Sequence, residues 1–185
     1  MRVLAVSGSL RESSYNSSLL QAALEAQPDG VELELWEGLG DLPLYDEDLE
    51  ADAPESVRRL REDWAAADAI LFATPEYNGS VPGGLKNAID WASRPKLEAL
   101  LRNKPVAVVG ASTGQFGALW AQQDLKRILG IAGARVVGTE IPVSRAHERF
   151  DAEGRLLDGE IFEQLRLHLT TLASEAVAAP ERVAA

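Results

Sequence analysis

Short apolar runs alternate along this chain with segments whose apolar positions recur every three or four residues. Five runs read as strands: Arg2–Ser7, Val31–Trp36, Ala69–Thr74, Pro105–Gly110 and Arg135–Thr139. Those centred on Leu4, Ile70 and Val108 are apolar throughout, as expected of strands covered on both faces. Between the runs, Leu19, Ala22, Ala23 and Ala26 share one helical face. So do Val57, Leu60 and Trp64, and later Leu125, Ile128, Leu129 and Ala132. A final helix is predicted near residues 159–178.

Strict alternation of strand and helix predicts an α/β fold, a parallel sheet with helices on both faces joined by right-handed crossovers. Five strands suggest the flavodoxin-like three-layer sandwich with strand order 2-1-3-4-5. In such sheets ligands bind beyond the carboxyl ends of the strands, near the switch point between strands 1 and 3. Three loops therefore become candidates: those after Ser7, Thr74 and Gly110. No repeat or low-complexity linker interrupts the pattern, so residues 1–179 read as one domain and 180–185 as a frayed tail. Two irregular stretches remain, 37–53 and 142–158. The first carries five acids between Asp46 and Asp52 without calcium-loop spacing, and reads as a solvated loop.

The 185 residues fit one domain of roughly 100–200 residues. The absence of cysteine removes disulfides, thiolate metal sites and a thiol nucleophile, so a redox role would need a cofactor. With 18 Lys+Arg against 29 Asp+Glu, the net charge of −11 argues against nucleic acid or an anionic membrane as partner. No apolar run reaches the ~18–20 residues of a membrane span, and Val3–Val6 is too short for a signal segment. The expected location is the cytoplasm.

The first loop, Gly8-Ser9-Leu10-Arg11-Glu12-Ser13-Ser14-Tyr15-Asn16-Ser17-Ser18, offers hydroxyls, an amide and a guanidinium just before a helix start, where free N–H groups favour an anion. It suits a phosphomonoester. It is neither a Walker loop nor a GxGxxG fingerprint. Capping of the helix by Ser14 or Asn16, with the other serines in water, is the plainer reading. The second loop runs from Thr74 to Trp91. Pro75 ends a strand, Gly79 permits a turn and Pro82 suits the first turn of a helix; its mixed polar groups suit the edge of a flat heterocycle. The third, Gly110-Ala111-Ser112-Thr113-Gly114-Gln115-Phe116-Gly117, permits close backbone approach to a ligand.

The segments Gly8-Ser9-Leu10-Arg11, Ser14-Tyr15-Asn16 and Pro75-Glu76-Tyr77-Asn78-Gly79-Ser80-Val81-Pro82-Gly83-Gly84-Leu85-Lys86-Asn87-Ala88-Ile89-Asp90-Trp91 resemble the NADPH-dependent FMN reductase family. Leu42-Pro43-Leu44-Tyr45-Asp46 and the Ser112-Thr113-Gly114 turn extend the likeness through nearly the whole chain. The resemblance implies bound FMN, with NADPH or NADH as co-substrate and a small acceptor such as a quinone, azo dye, chromate or free flavin. It would put Ser9, Arg11, Asn16 and Ser17 around the FMN phosphate and Pro75, Glu76, Tyr77 and Asn78 along the ribityl chain and ring. Ser112, Thr113 and Gly114 would close the other side. It also implies a homodimer or homotetramer, with the helix carrying Lys86, Asn87 and Trp91 as a candidate interface element. Leu85, Ala88 and Ile89 serve equally as core positions.

Such chemistry runs at flavin N5 and needs no catalytic side chain; His147 and His168 read as solvent-exposed or structural, and no metal site is expected. Ping-pong transfer is the expected mechanism, with backbone N–H groups of the 75–78 loop stabilising charge on the reduced ring. A flavodoxin-type electron carrier shares the fold, the acidity and FMN, but its phosphate loop is usually of T-x-T-G-x-T type. A flavin-free nucleotide or phosphosugar binder is the third reading. Nothing in the residues chooses between NADH and NADPH.

Overall fold

The computed structural model describes residues 1–96 and 99–178; the tail assigned to 180–185 lies outside them. The elements follow in the order β1 (Arg2–Ser7), α1 (Tyr15–Glu25), β2 (Glu32–Trp36), α2 (Glu55–Ala66), β3 (Ala69–Ala73), α3 (Gly83–Ala92), β4 (Pro105–Ala111), α4 (Leu119–Ile131), β5 (Arg135–Val136), β6 (Pro142–Val143), α5 (Ala146–Arg149) and α6 (Gly159–Val177). The strands pair in parallel in the order β2-β1-β3-β4-β5, with helices on both faces. No helix among the described residues is long and apolar enough to cross a membrane.

Alternation along the inner strands divides the core. Val3 and Ala5 of β1 and Ala69 and Leu71 of β3 face α1 and α6, where Leu19, Leu20, Leu165 and Leu169 cover them. Leu4, Val6, Ile70 and Phe72 point the other way, onto Trp64 of α2, Leu85 and Ile89 of α3 and Leu125 of α4. Each strand is therefore buried on both sides, which is why its sequence lacks a polar face. On the second side Trp64 meets Trp36 and Phe72 edge-on, with centroids 5.6 and 5.5 Å apart.

The fifth strand departs from the expected Arg135–Thr139 run. β5 spans only Arg135–Val136 beside Pro105–Val106, and pairing resumes at β6, where Pro142 and Val143 lie against Gly110 and Ala111. Between them the chain bulges. Gly138 turns at φ +72° over the ring of His168, where a Cβ would come within 2.7 Å of the imidazole. Lys126 on α4 donates to Gly138 O at 2.9 Å and pairs with Glu140 at 3.2 Å. Two side chains from distant helices thus hold the backbone out of register.

His168 is buried, and among the described residues its Nε2 has no partner. Burial, and then the charge of Lys126, push its pKa down, against the Thr139 carbonyl and Glu140. The unfolded chain takes up this proton near the ordinary value of about 6.5, whereas the folded protein resists it. Neutral His168 therefore contributes fully above that value, and stability falls as pH drops below it toward the lowered folded pKa. Urea unfolding between neutral and mildly acid pH should show this slope, and His168→Gln should flatten it; equal slopes would remove His168 as the cause.

Candidate active site

Three loops converge at the carboxyl edge of β1, β3 and β4, and the contacts between them are backbone-close. Gly8 donates to Ala73 O at 2.8 Å, and a Cβ on Gly8 would lie 2.9 Å from Leu85 and 3.4 Å from Pro75. Gly110 approaches the carbonyl of Thr74 so closely that a Cβ would stand 2.8 Å away. Glycine is required at both places by this approach.

In the first loop Ser14 caps α1, accepting from the N–H groups of Asn16 and Ser17. The N–H groups from Glu12 to Tyr15 find no acceptor among the described residues, and they precede a helix whose dipole favours negative charge. Ser9 Oγ accepts from Arg11 N at 3.3 Å, and the Ser17 hydroxyl meets that of Ser7 at 3.1 Å. Arg11 is exposed, lies 5.5 Å over the Tyr15 ring and holds only a long 3.4 Å bond to Ser13. Among the described residues no carboxylate pairs with it. A cation with empty donors beside unpaired N–H groups has the chemistry to receive a phosphate.

Asn16, expected beside the phosphate, also ties two loops together. It is buried, and its amide spans to Ala111, donating through Nδ2 at 3.0 Å and accepting through Oδ1 at 2.9 Å. The pair of bonds joins the first loop to the third, and one N–H of the amide remains beyond them.

In the second loop Tyr77 and Ser80 exchange two backbone hydrogen bonds of 3.0 and 3.1 Å around Asn78 and Gly79, both at positive φ (53° and 75°). This Asn-Gly pair forms a tight hairpin tip of the I′ kind. The tip is braced on α4: Glu76 Oε2 accepts from Ala121 N at 3.1 Å, and Ser80 donates to Asp124 at 2.5 Å. Ser80 and Arg127 hold the Asp124 carboxyl below its ordinary pKa. Pro75 is buried, while Tyr77 and Asn78 face solvent.

In the third loop Ser112 donates to Val143 O and accepts from Ala146 N, and Gly114 O accepts from Arg145 N at 3.0 Å. Thr113 and Gly114 are exposed. Gly117, at φ +56°, sits against Pro142 so tightly that a Cβ would be 2.4 Å from its carbonyl carbon. The buried Gln122 donates to Gly117 O and accepts from Ile141 N, each at 3.0 Å. Sequence reasoning passed over Gln122, since a glutamine on an amphipathic helix gives no sign that it faces inward.

A cleft of about 370 Å³ opens beside the first loop, lined by Ser9, Leu10, Arg11, Ser17, Gln21 and the 36–40 turn. It does not reach the second and third loops. Its volume has room for a phosphate and the chain attached to it. His147 is exposed and meets Glu148 at 3.6 Å. Of the candidate interface residues, Asn87 and Trp91 turn inward and bind Pro43 O at 2.8 and 2.9 Å, which leaves Lys86, paired with Asp90, facing out.

Comparison with known proteins gives the same reading. The family model of NADPH-dependent FMN reductases matches residues 1–148. An NAD(P)H-dependent FMN reductase of Pseudomonas aeruginosa is 48% identical over 174 residues, 93% of each chain. A quinone reductase of Pseudomonas putida is 43% identical over 158 residues, 84% of each chain. Among solved structures, the flavoenzyme NAD(P)H:(acceptor) oxidoreductase FerB of Paracoccus denitrificans superimposes with a TM-score of 0.87 at 37% identity, over 96% of this chain and 98% of that one. A flavodoxin-like sheet, a family match over residues 1–148 and this degree of identity lead to one conclusion: the chain belongs to the NADPH-dependent FMN reductase family, whose members are oxidoreductases using FMN and NAD(P)H.

Proposed function

We propose that this chain binds FMN through these three loops and passes reducing equivalents from NAD(P)H to a small acceptor by a ping-pong route. The observation that carries the reading is the exposed Arg11, without a carboxylate partner among the described residues, beside N–H groups ahead of α1 that find no acceptor among them. In this reading Ser9, Arg11 and Ser17 hold the phosphate. Asn16 holds the first loop against Ala111. Pro75, Glu76, Tyr77 and Asn78 border the ribityl chain and ring, with the Glu76 carboxylate spent on α4, and Ser112, Thr113 and Gly114 form the opposite wall. When bound, FMN supplies the two-electron chemistry at N5. The protein positions the ring, leaves one face accessible and needs no acid or base of its own.

Relatives named for quinones, among them a 2-hydroxy-1,4-benzoquinone reductase of Burkholderia at 35% identity over 94% of this chain, favour a quinone as acceptor. An acidic net charge supports a small molecule and not a nucleic acid as partner. The co-substrate is expected to be NADPH or NADH and the location the cytoplasm. The expected assembly is a homodimer or homotetramer, and the exposed Ile131 on the groove between α3 and α4 supports self-association there. Sedimentation velocity reads the assembly.

The reaction is tested by steady-state kinetics with NADPH and 1,4-naphthoquinone. Parallel double-reciprocal lines are expected, because one product leaves before the second substrate enters. Intersecting lines would require a ternary complex and overturn the ping-pong route. No NADPH oxidation with any acceptor, alongside fast electron exchange with a reductase protein, would make the chain a carrier.

A further inference from the structure

Phe116 and Trp120 form an aromatic pair with centroids 4.7 Å apart and planes tilted by 54°. They stand 46% and 49% exposed, and Tyr77 on the neighbouring hairpin tip is 54% exposed. The other three tryptophans, Trp36, Trp64 and Trp91, are at most 9% exposed. The pair is also held still. Gly117 between them is wedged on Pro142 and bonded by Gln122, and Leu119 N donates to Phe116 O at 3.0 Å.

The position of the pair matters as much as its exposure. Phe116 belongs to the third loop. Trp120 precedes Ala121, whose N–H holds Glu76 of the second loop, one residue before Tyr77. The aromatic surfaces therefore border the place where the two loops that would flank the ring come together. Indole and phenyl faces attract flat, electron-poor rings. They give nothing to a tetrahedral oxyanion, and the chain neighbours Gln115 and Leu119 carry no charge to hold the phosphates of a dinucleotide.

We propose that Phe116 and Trp120 form a stacking platform for a planar, uncharged aromatic acceptor of the quinone class, and so select quinones over inorganic oxyanions. This rests on the reading of the chain as an FMN-dependent reductase with a small acceptor.

Trp120, as the exposed tryptophan, reports binding directly. In oxidised, FMN-loaded protein without NADPH, 1,4-naphthoquinone should quench its fluorescence saturably, and Phe116→Ala should weaken that binding by about tenfold. In turnover, Trp120→Ala should raise KM for the quinone by about tenfold with kcat little changed, while chromate kinetics and FMN affinity stay as in the wild type. Trp120→Phe should recover most of the loss. Purely collisional quenching, equal losses for quinone and chromate, or a change of oligomeric state in Trp120→Ala marking the pair as a subunit contact would each overturn the proposal. If the wild type oxidises no NADPH with any acceptor, the reductase reading fails, and the quenching titration still decides the platform.

Discussion

Arg11→Ala is expected to weaken FMN binding by about a hundredfold, roughly 2.7 kcal/mol, while riboflavin binding changes little. The asymmetry follows from chemistry: only FMN carries the phosphate. Arg11 stands exposed, and among the described residues no carboxylate competes for it, so a bound phosphate would gain charge-assisted bonds without breaking an ion pair. The loss is not total, because the N–H groups ahead of α1 and the hydroxyls of Ser9 and Ser17 remain. Arg11→Lys should recover part of it, keeping the charge but not the planar fork. The net charge of −11 makes this local cation more important, since the rest of the surface repels the same phosphate. Titrating apo-protein with each flavin measures both affinities. Equal losses would remove Arg11 from the phosphate site.

Asn16→Leu is expected to destabilise the fold by about 3 kcal/mol, a large share of a typical domain's stability. Leucine has similar bulk and fills the same space. It leaves both the N–H and the carbonyl of Ala111 without their side-chain partner in a buried place, and each such group costs about 1–3 kcal/mol. FMN affinity should fall as well, because the same bonds hold the first loop to the third. Urea unfolding gives the first effect and flavin titration the second. A cost below about 1 kcal/mol would mean that other groups or water satisfy Ala111.

Asn16 also illustrates what a sequence conceals. Its residue type suits a helix cap, a phosphate ligand or a buried strut equally well. Only the fold, which brings Ala111 opposite from 95 positions away, shows that it serves as a strut. The sheet order was legible because β1, β3 and β4 are apolar on both faces and the connecting segments follow helical spacing, which leaves few topologies. The break between β5 and β6 was not, because its causes, Lys126 and His168, lie on helices that sequence alone cannot place against residue 138. In the candidate site, the run of hydroxyls and Arg11 at the start of α1 was legible as a loop suited to an anion, and Ser17 lies in the first turn of that helix. The tie from Glu76 to Ala121 and the brace from Ser80 to Asp124 are long-range, and neither leaves a local signature. Phe116 and Trp120 were readable as letters but not as a surface, since an aromatic residue at a helix start is as often buried as exposed.

Three ties connect the walls of this site: Asn16 to Ala111, Glu76 to Ala121, and Gln122 to Gly117. Walls assembled in advance lose little freedom when a ligand arrives, so more of the contact energy remains as affinity. They also remove the need for an opening step between one visitor and the next. On the proposed ping-pong route, exchange of co-substrate for acceptor would then be timed by how quickly each leaves an exposed surface, and tight binding by either would slow the whole cycle.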